Sequence, residues 1–216
     1  MKINFQNILF GLRGIGVIVA ILAVSSCGRN DDTESVPDAY SAGAKETHLV
    51  VAAPLEEKDG TQRLWVCKGT KVQDGTPADG YLVSIGTGKG AYSDPDAQTT
   101  ANRGNINSNL TPVGELFISR MLPYSCQAGM LSRCMQLSGV EKNINKSTIY
   151  RGIYIHGTSK ANYDDLGESA SHGCVRMTTQ DVTQVYKRVK KGTRVWINSA
   201  GLPRNQNPCN FTGKAR

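Results

Sequence analysis

From residue 48 onward the sequence is cut into apolar runs too short for stable helices, with glycine, proline and aspartate between them. That pattern commits most of the chain to strands and turns. Residues 48–53, 63–68, 81–86 and 114–119 read as strands, and Lys68-Gly69-Thr70-Lys71 fits a hairpin turn between two of them. A further apolar run, 149–155, reads as a buried strand that delivers His156 at its end. One segment has a helical period instead. Val182, Val185, Tyr186 and Val189 recur at steps of three and four, so 178–192 reads as an amphipathic helix. Thr178 and Asp181 make a variant capping box and Gly192 supplies the stop. Alternation across 193–197 gives one last strand. The stretches 90–110 and 123–147, rich in Asn, Ser, Gly and Asp, read as long loops of the kind that serve as lids or insertions. The result is a mainly β fold with a few helices, and 216 residues suit one domain with short trimmings.

Two binding classes are set aside on residue pattern. Gly86-Thr87-Gly88-Lys89-Gly90 looks like a phosphate loop, but the places that need a glycine and a Ser or Thr hold Val83 and Gly90. The formal charge of +7 and the basic run of Lys187, Arg188, Lys190 and Lys191 fit an anionic surface or polymer. Cations at a helix C-terminus are favourable in their own right, so this run does not argue for nucleic acid.

Residues 1–26 carry Lys2 and Arg13 ahead of an uncharged run, 14–26, too short for a comfortable membrane span. They read as an export signal, and its removal takes the charge from +7 to +5. Val24-Ser25-Ser26-Cys27 resembles a bacterial lipobox, which implies lipidation of Cys27. Gly28 after it points by analogy to the outer membrane of a Gram-negative cell; ordinary cleavage at the small residues 23–26 would instead leave a soluble protein. Residues 27–47 are polar and acidic and read as a flexible tether. An exported chain meets an oxidising compartment, so its cysteines need partners. With Cys174 left as a free thiol, Cys67, Cys126, Cys134 and Cys209 form an even set with three possible pairings. Cys126 with Cys134, and Cys67 with Cys209, are the favoured pairs.

The chemistry concentrates between His156 and Met177, which hold two of the chain's three histidines, a cysteine and an arginine. A thiol must lose its proton to attack, and a neighbouring imidazole can take it. His156 closes one apolar run, while His172 stands two residues before Cys174, so the residues alone leave the base open between them. Gly173 permits the close backbone approach that an oxyanion-binding N–H needs, and Arg176 has the donor fork for a carboxylate. Each residue also has a structural reading: a buried thiol, a strand-end histidine, a turn cap, a surface ion pair. Zinc held by His156, His172 and Cys174 is the competing chemistry, but no fourth ligand or general-base Glu stands at a familiar spacing. We expect no metal and no cofactor.

His156-Gly157 followed, after thirteen residues, by Ser171-His172-Gly173-Cys174-Val175-Arg176 resembles the signature of the L,D-transpeptidase catalytic domain, or YkuD domain. Thr111-Pro112-Val113-Gly114 resembles that family's upstream Thr-Pro-x-Gly segment, and Gly86-Thr87-Gly88 its preceding Thr-Gly. The resemblance runs from about 48 to 197. It implies a YkuD-like mixed β-sandwich acting on peptidoglycan stem peptides in the periplasm. Cys174 would be the nucleophile and His156 the general base, with His172 supporting the site. Gly173 and Cys174 N–H groups would form the oxyanion hole, and Arg176, Ser171, Gly157 and Thr158 would contact substrate. The acyl acceptor would be a second stem peptide, a protein lysine or a D-amino acid. Water as acceptor would make the enzyme a hydrolase, and a third possibility is an idle lipoprotein that only binds the wall. The implied domain plan is a signal peptide at 1–26, a tether at 27–47, a catalytic domain at 48–198 and a tail at 199–216. The stretches 90–110 and 123–147 depart from the family pattern and could cover the substrate groove.

Overall fold

The computed structural model describes residues 46–54, 61–86, 110–140, 148–149, 151–203 and 205–211. Residues 1–26, read from the sequence as an export signal, Cys27, the expected tether up to residue 45, and nearly all of the 90–110 stretch lie outside them; Thr47, the last residue of that expected tether, is already in β1. The described residues form strands β1 (Thr47–Pro54), β2 (Arg63–Lys68), β3 (Lys71–Val72), β4 (Tyr81–Leu82), β5 (Gly114–Leu122), β6 (Leu131–Gly139), β7 (Tyr154–Gly157), β8 (Val175–Met177) and β9 (Arg194–Leu202). The α-helix described in full is α1 (Thr179–Tyr186); Thr148, Ile149 and Arg151 are also helical, and Lys160–Asn162 and Pro208–Asn210 form short 3-10 turns. The strands build one mixed sheet in the order β3-β2-β1-β9-β5-β6-β7-β8, with β4 on β2. Pairs β1–β9 and β7–β8 are parallel, and the other pairs are antiparallel.

β1 shows why the apolar run at 48–53 is continuous and not alternating. Leu49 and Val51 enter the main core, while Val50 and Ala52 enter a second cluster with Trp65, Leu202 and Cys209. A strand covered on both faces needs apolar residues at every position. The disulfide between Cys67 and Cys209 closes this second cluster, so the C-terminal segment belongs to the packed domain. β9 itself runs past 198, the limit expected for the domain.

Several boundaries move. The 123–147 stretch is not one long loop. It contains β6, whose pattern is disguised by a register shift between Leu131 and Cys134 and by Ser132 at φ 67°. The disulfide joining Cys126 to Cys134 anchors the short turn that remains. The run at 149–155, expected as strand throughout, is helical at Ile149 and Arg151, turns at Gly152 with φ 60°, and becomes strand only at Tyr154. The helix begins as its cap predicts, with the Thr178 hydroxyl accepting from Asp181 N–H at 3.0 Å. It ends at Tyr186, well before Gly192, and Gly192 N–H instead donates to Ile118 O. Val182 and Val185 are fully buried, a contribution of about 1.5 to 3 kcal/mol each. The hairpin at 68–71 forms as expected, with Gly69 at φ 58°.

The free edge of β8 is also held. Ser84 and Arg176 exchange backbone hydrogen bonds at 3.0 and 2.9 Å, which joins the segment after β4 to the last strand. The connection between His156 and Cys174 is laced to the same segment. Gln62 N–H donates to Gly167 O, Gly167 N–H to Val83 O, and the Ser84 hydroxyl to Glu168 O. A surface loop with its backbone groups satisfied in this way is a fixed wall.

Candidate active site

β7 and β8 lie side by side and parallel, with Ile155 opposite Val175 and His156 opposite Arg176. This register brings the two halves of the His156 to Arg176 pattern together, although thirteen residues separate them in sequence. Cys174 is the free cysteine among the described residues. It stands just before β8 and is partly buried. Its sulfur accepts from Tyr154 N–H at 3.5 Å, and its thiol donates to Gly152 O at 3.7 Å. Burial pushes the thiol above its ordinary range, and the Tyr154 N–H and the charges of Arg176 and Arg151 oppose that push.

His156 is 3% exposed. Its Nδ1 lies 2.8 Å from Gly157 O, and because a carbonyl only accepts, Nδ1 carries the proton and Nε2 is the basic nitrogen. Burial holds the imidazole below the usual histidine range; the Gly157 carbonyl resists that shift and Arg176 adds to it. The sulfur stands at the entry to the strand adjacent to that of the imidazole, and the two are not hydrogen-bonded to each other. His172 is exposed, on the turn before the cysteine.

The turn itself is built around Ser171 and Gly173. Ser171 is 1% exposed, and its hydroxyl accepts from Gly173 N–H at 3.1 Å while donating to Cys174 O. The Gly173 N–H expected in an oxyanion hole is therefore engaged within the turn. Gly173 has φ 116°, and a Cβ there would meet Arg151 Nη2 at 2.3 Å, so only glycine fits. Thr158 is 1% exposed, donates its N–H to Met177 O and accepts from Asn162 Nδ2. Gly157 is buried, and a Cβ on it would meet Leu131 O at 2.5 Å. Of the residues expected at the substrate, Ser171 bonds within its own turn, Thr158 bonds to Met177 and to Asn162, and Gly157 packs against Leu131 of β6. Arg176 is half-buried, and its Nη1 donates to Ala170 O at 3.1 Å.

The upstream segments converge here too. Thr111 and Gly86 hold each other, Thr111 N–H to Gly86 O at 2.7 Å and Gly86 N–H to Thr111 Oγ1 at 2.8 Å. Arg151 joins Leu110, the residue before that segment, to the nucleophile turn, donating from Nη2 to Leu110 O at 2.7 Å and to His172 O at 3.4 Å. Sequence reasoning passed over Arg151; the available signal was a cation inside an apolar run. Among the described residues, no group of three or more His, Cys, Asp and Glu is placed to hold a metal ion.

The family model for the L,D-transpeptidase catalytic domain, YkuD, matches residues 58–197. The chain belongs to the L,D-transpeptidase catalytic domain family. Comparison with curated proteins returns no match. Among solved structures, the chain is similar to an L,D-transpeptidase from Mycobacterium smegmatis at 14% identity and a TM-score of 0.42, covering 70% of this chain and 59% of that one. It is similar to L,D-transpeptidase 3 from Mycobacterium tuberculosis in complex with a faropenem-derived adduct, at 17% identity and a TM-score of 0.40, covering 70% and 60%. An Enterococcus faecium L,D-transpeptidase gives 17% identity and 0.40, covering 71% and 50%. The chain thus spans between half and three fifths of these proteins. The fold is mostly strands in a mixed sheet, with the helix α1 following β8. Among those residues no helix is long and apolar enough to cross a membrane.

Proposed function

We propose that this domain is a peptidoglycan L,D-transpeptidase that works through Cys174. The observation that carries the reading is a free thiol at the entry to the strand beside a buried histidine whose tautomer is fixed with Nε2 as the base. In the reaction, the thiol leaves Gly152 O and gives its proton to His156 Nε2. The sulfur attacks the carbonyl of the third stem residue, meso-diaminopimelate, at its L-to-D peptide bond. The bond to the terminal D-Ala breaks, and the departing nitrogen takes the proton from His156. A thioester remains. An amine from a neighbouring stem attacks it, its proton passes through His156, and the C–S bond breaks to restore the thiol.

The developing oxyanion takes the N–H groups of Gly173 and Cys174, for which the Ser171 hydroxyl releases Gly173. Arg176 stays near the reacting atoms as a carboxylate contact and as a positive charge on the thiolate, and His172 supports the turn. The catalytic hydrogen bond between sulfur and imidazole tightens only with substrate in place, as is common in ligand-free sites. We further propose residues 1–26 as an export signal, Cys27 as a lipid anchor at the outer membrane, and 27–47 as the tether to a periplasmic catalytic domain.

Purified protein incubated with tetrapeptide muropeptides should release D-Ala and yield crosslinked dimers, and Cys174→Ser should do neither. D-Ala release without dimers would make it a carboxypeptidase. No reaction, with retained binding to sacculi, would leave only a wall-binding role.

A further inference from the structure

Arg151 lies five residues before His156 and outside the His156 to Arg176 signature, yet its side chain reaches the turn that carries the nucleophile. Nη2 donates to Leu110 O at 2.7 Å and to His172 O at 3.4 Å, so one guanidinium spans the entry to β5 and the turn that carries Cys174. It also fills the space beside Gly173, where a Cβ would stand 2.3 Å from Nη2. The neighbouring residue, Gly152, supplies the carbonyl that receives the thiol. We propose that Arg151 is a positioning residue for the nucleophile, clamping the His172-Gly173 turn against Leu110 and holding a fixed positive charge beside the turn that carries the sulfur. This rests on Cys174 being the nucleophile, as proposed above.

The electrostatics follow from that placement. The charged groups acting on the sulfur are Arg176 from β8, which follows it, and Arg151 from the segment leading into β7. The titratable groups nearest in chain and register are His172 on the same turn, and Tyr154 and His156 on β7. Burial opposes the thiolate, and each guanidinium favours it. The attraction is mutual, since Cys174 in turn favours the charged form of Arg151 against its own burial. Arginine suits this place better than lysine, because a planar fork can hold two carbonyls while keeping its charge.

The test reads the thiol without any wall substrate. Cys174 in the full chain, purified in detergent, is alkylated with iodoacetamide across a pH series and followed by mass spectrometry. In Arg151→Met the inflection should move about one pH unit upward, and the rate at pH 7 should fall about tenfold. Arg151→Lys should recover much of the pH profile while remaining slow with muropeptides. Should the Met variant fail to fold, Arg151→Gln replaces it under the same criterion. A neutral variant that is folded and keeps the wild-type profile overturns the inference. If the variants shift as expected but the wild type releases no D-Ala, the proposed reaction fails and the role of Arg151 stands.

Discussion

The Cys174 thiol donates to Gly152 O at 3.7 Å and not to the imidazole of His156 on the same strand as Tyr154. The resting site therefore holds a neutral thiol beside a neutral imidazole, with the proton transfer left for the substrate complex.

That arrangement fixes the pH behaviour. His156 is held below its ordinary value, so it remains an unprotonated base down to lower pH than a free histidine. The acid limb of kcat/KM should consequently fall below about 6.5. Cys174 is held above the ordinary thiol range, so alkylation, which needs the thiolate, should still be rising above about 8.5. Measuring both profiles on one preparation checks the pair. Alkylation already saturated at pH 6 would mean a preformed thiolate and imidazolium pair and would refute this account.

Gln62 is 2% exposed and joins β2 to the wall of the site. Its Oε1 accepts from Ile85 N–H at 2.6 Å, and its Nε2 donates to Ser169 Oγ at 2.9 Å. Gln62→Ala leaves a buried N–H without its acceptor, which should cost about 1 to 3 kcal/mol in chemical unfolding. Because the 158–174 connection loses a tether, KM should rise more than kcat falls. Equal stability to wild type would show that water or backbone movement replaces the amide.

The strand pairing explains how much of this could be read beforehand. Short apolar runs revealed β1, β2, β5 and the start of β9, since each is apolar on at least one face over several residues. The His156 and Cys174 pattern was legible because chain spacing and residue type are both unusual. β6 was not, because Ser132 and Arg133 fall at a register shift where alternation fails. Arg151 was hidden for a different reason. Its meaning comes from Leu110 and His172, which contact it from 41 and 21 residues away. The helix end was misplaced because Val189 packs against the core from outside the helix, which mimics one more turn.

Gly173→Ala should be damaging at both levels. A side chain at φ 116° is strained, and the added carbon would meet Arg151 Nη2 and, at 2.9 Å, Ile153 Cδ1. Strain of this kind costs about 1 to 3 kcal/mol, which a thermal or denaturant melt will register. If the displaced group is Arg151, Gly173→Ala combined with Arg151→Met should alter the thiol's pH profile little more than either change alone. Fully additive shifts would mean that the two residues act on Cys174 separately.

The two disulfides should separate stability from activity. Cys67 and Cys209 are 142 residues apart and close the second apolar cluster, whereas Cys126 and Cys134 are 8 apart. Chain entropy sets the loss on opening them at about 5 and about 2.5 kcal/mol, an upper guide that native strain reduces. Cys134, however, is paired directly opposite His156 across β6 and β7. The turn it anchors also carries Gln127, whose Nε2 lies 3.8 Å from where a Cβ on Gly152 would be. Replacing Cys67 and Cys209 by alanine should therefore lower Tm more while leaving kcat/KM per folded molecule near wild type. Replacing Cys126 and Cys134 should lower Tm less but reduce kcat/KM, because the strand next to the base loses its brace. Melting curves and D-Ala release measured on both double variants decide this, and the opposite order would place the functional disulfide at the C-terminal segment instead.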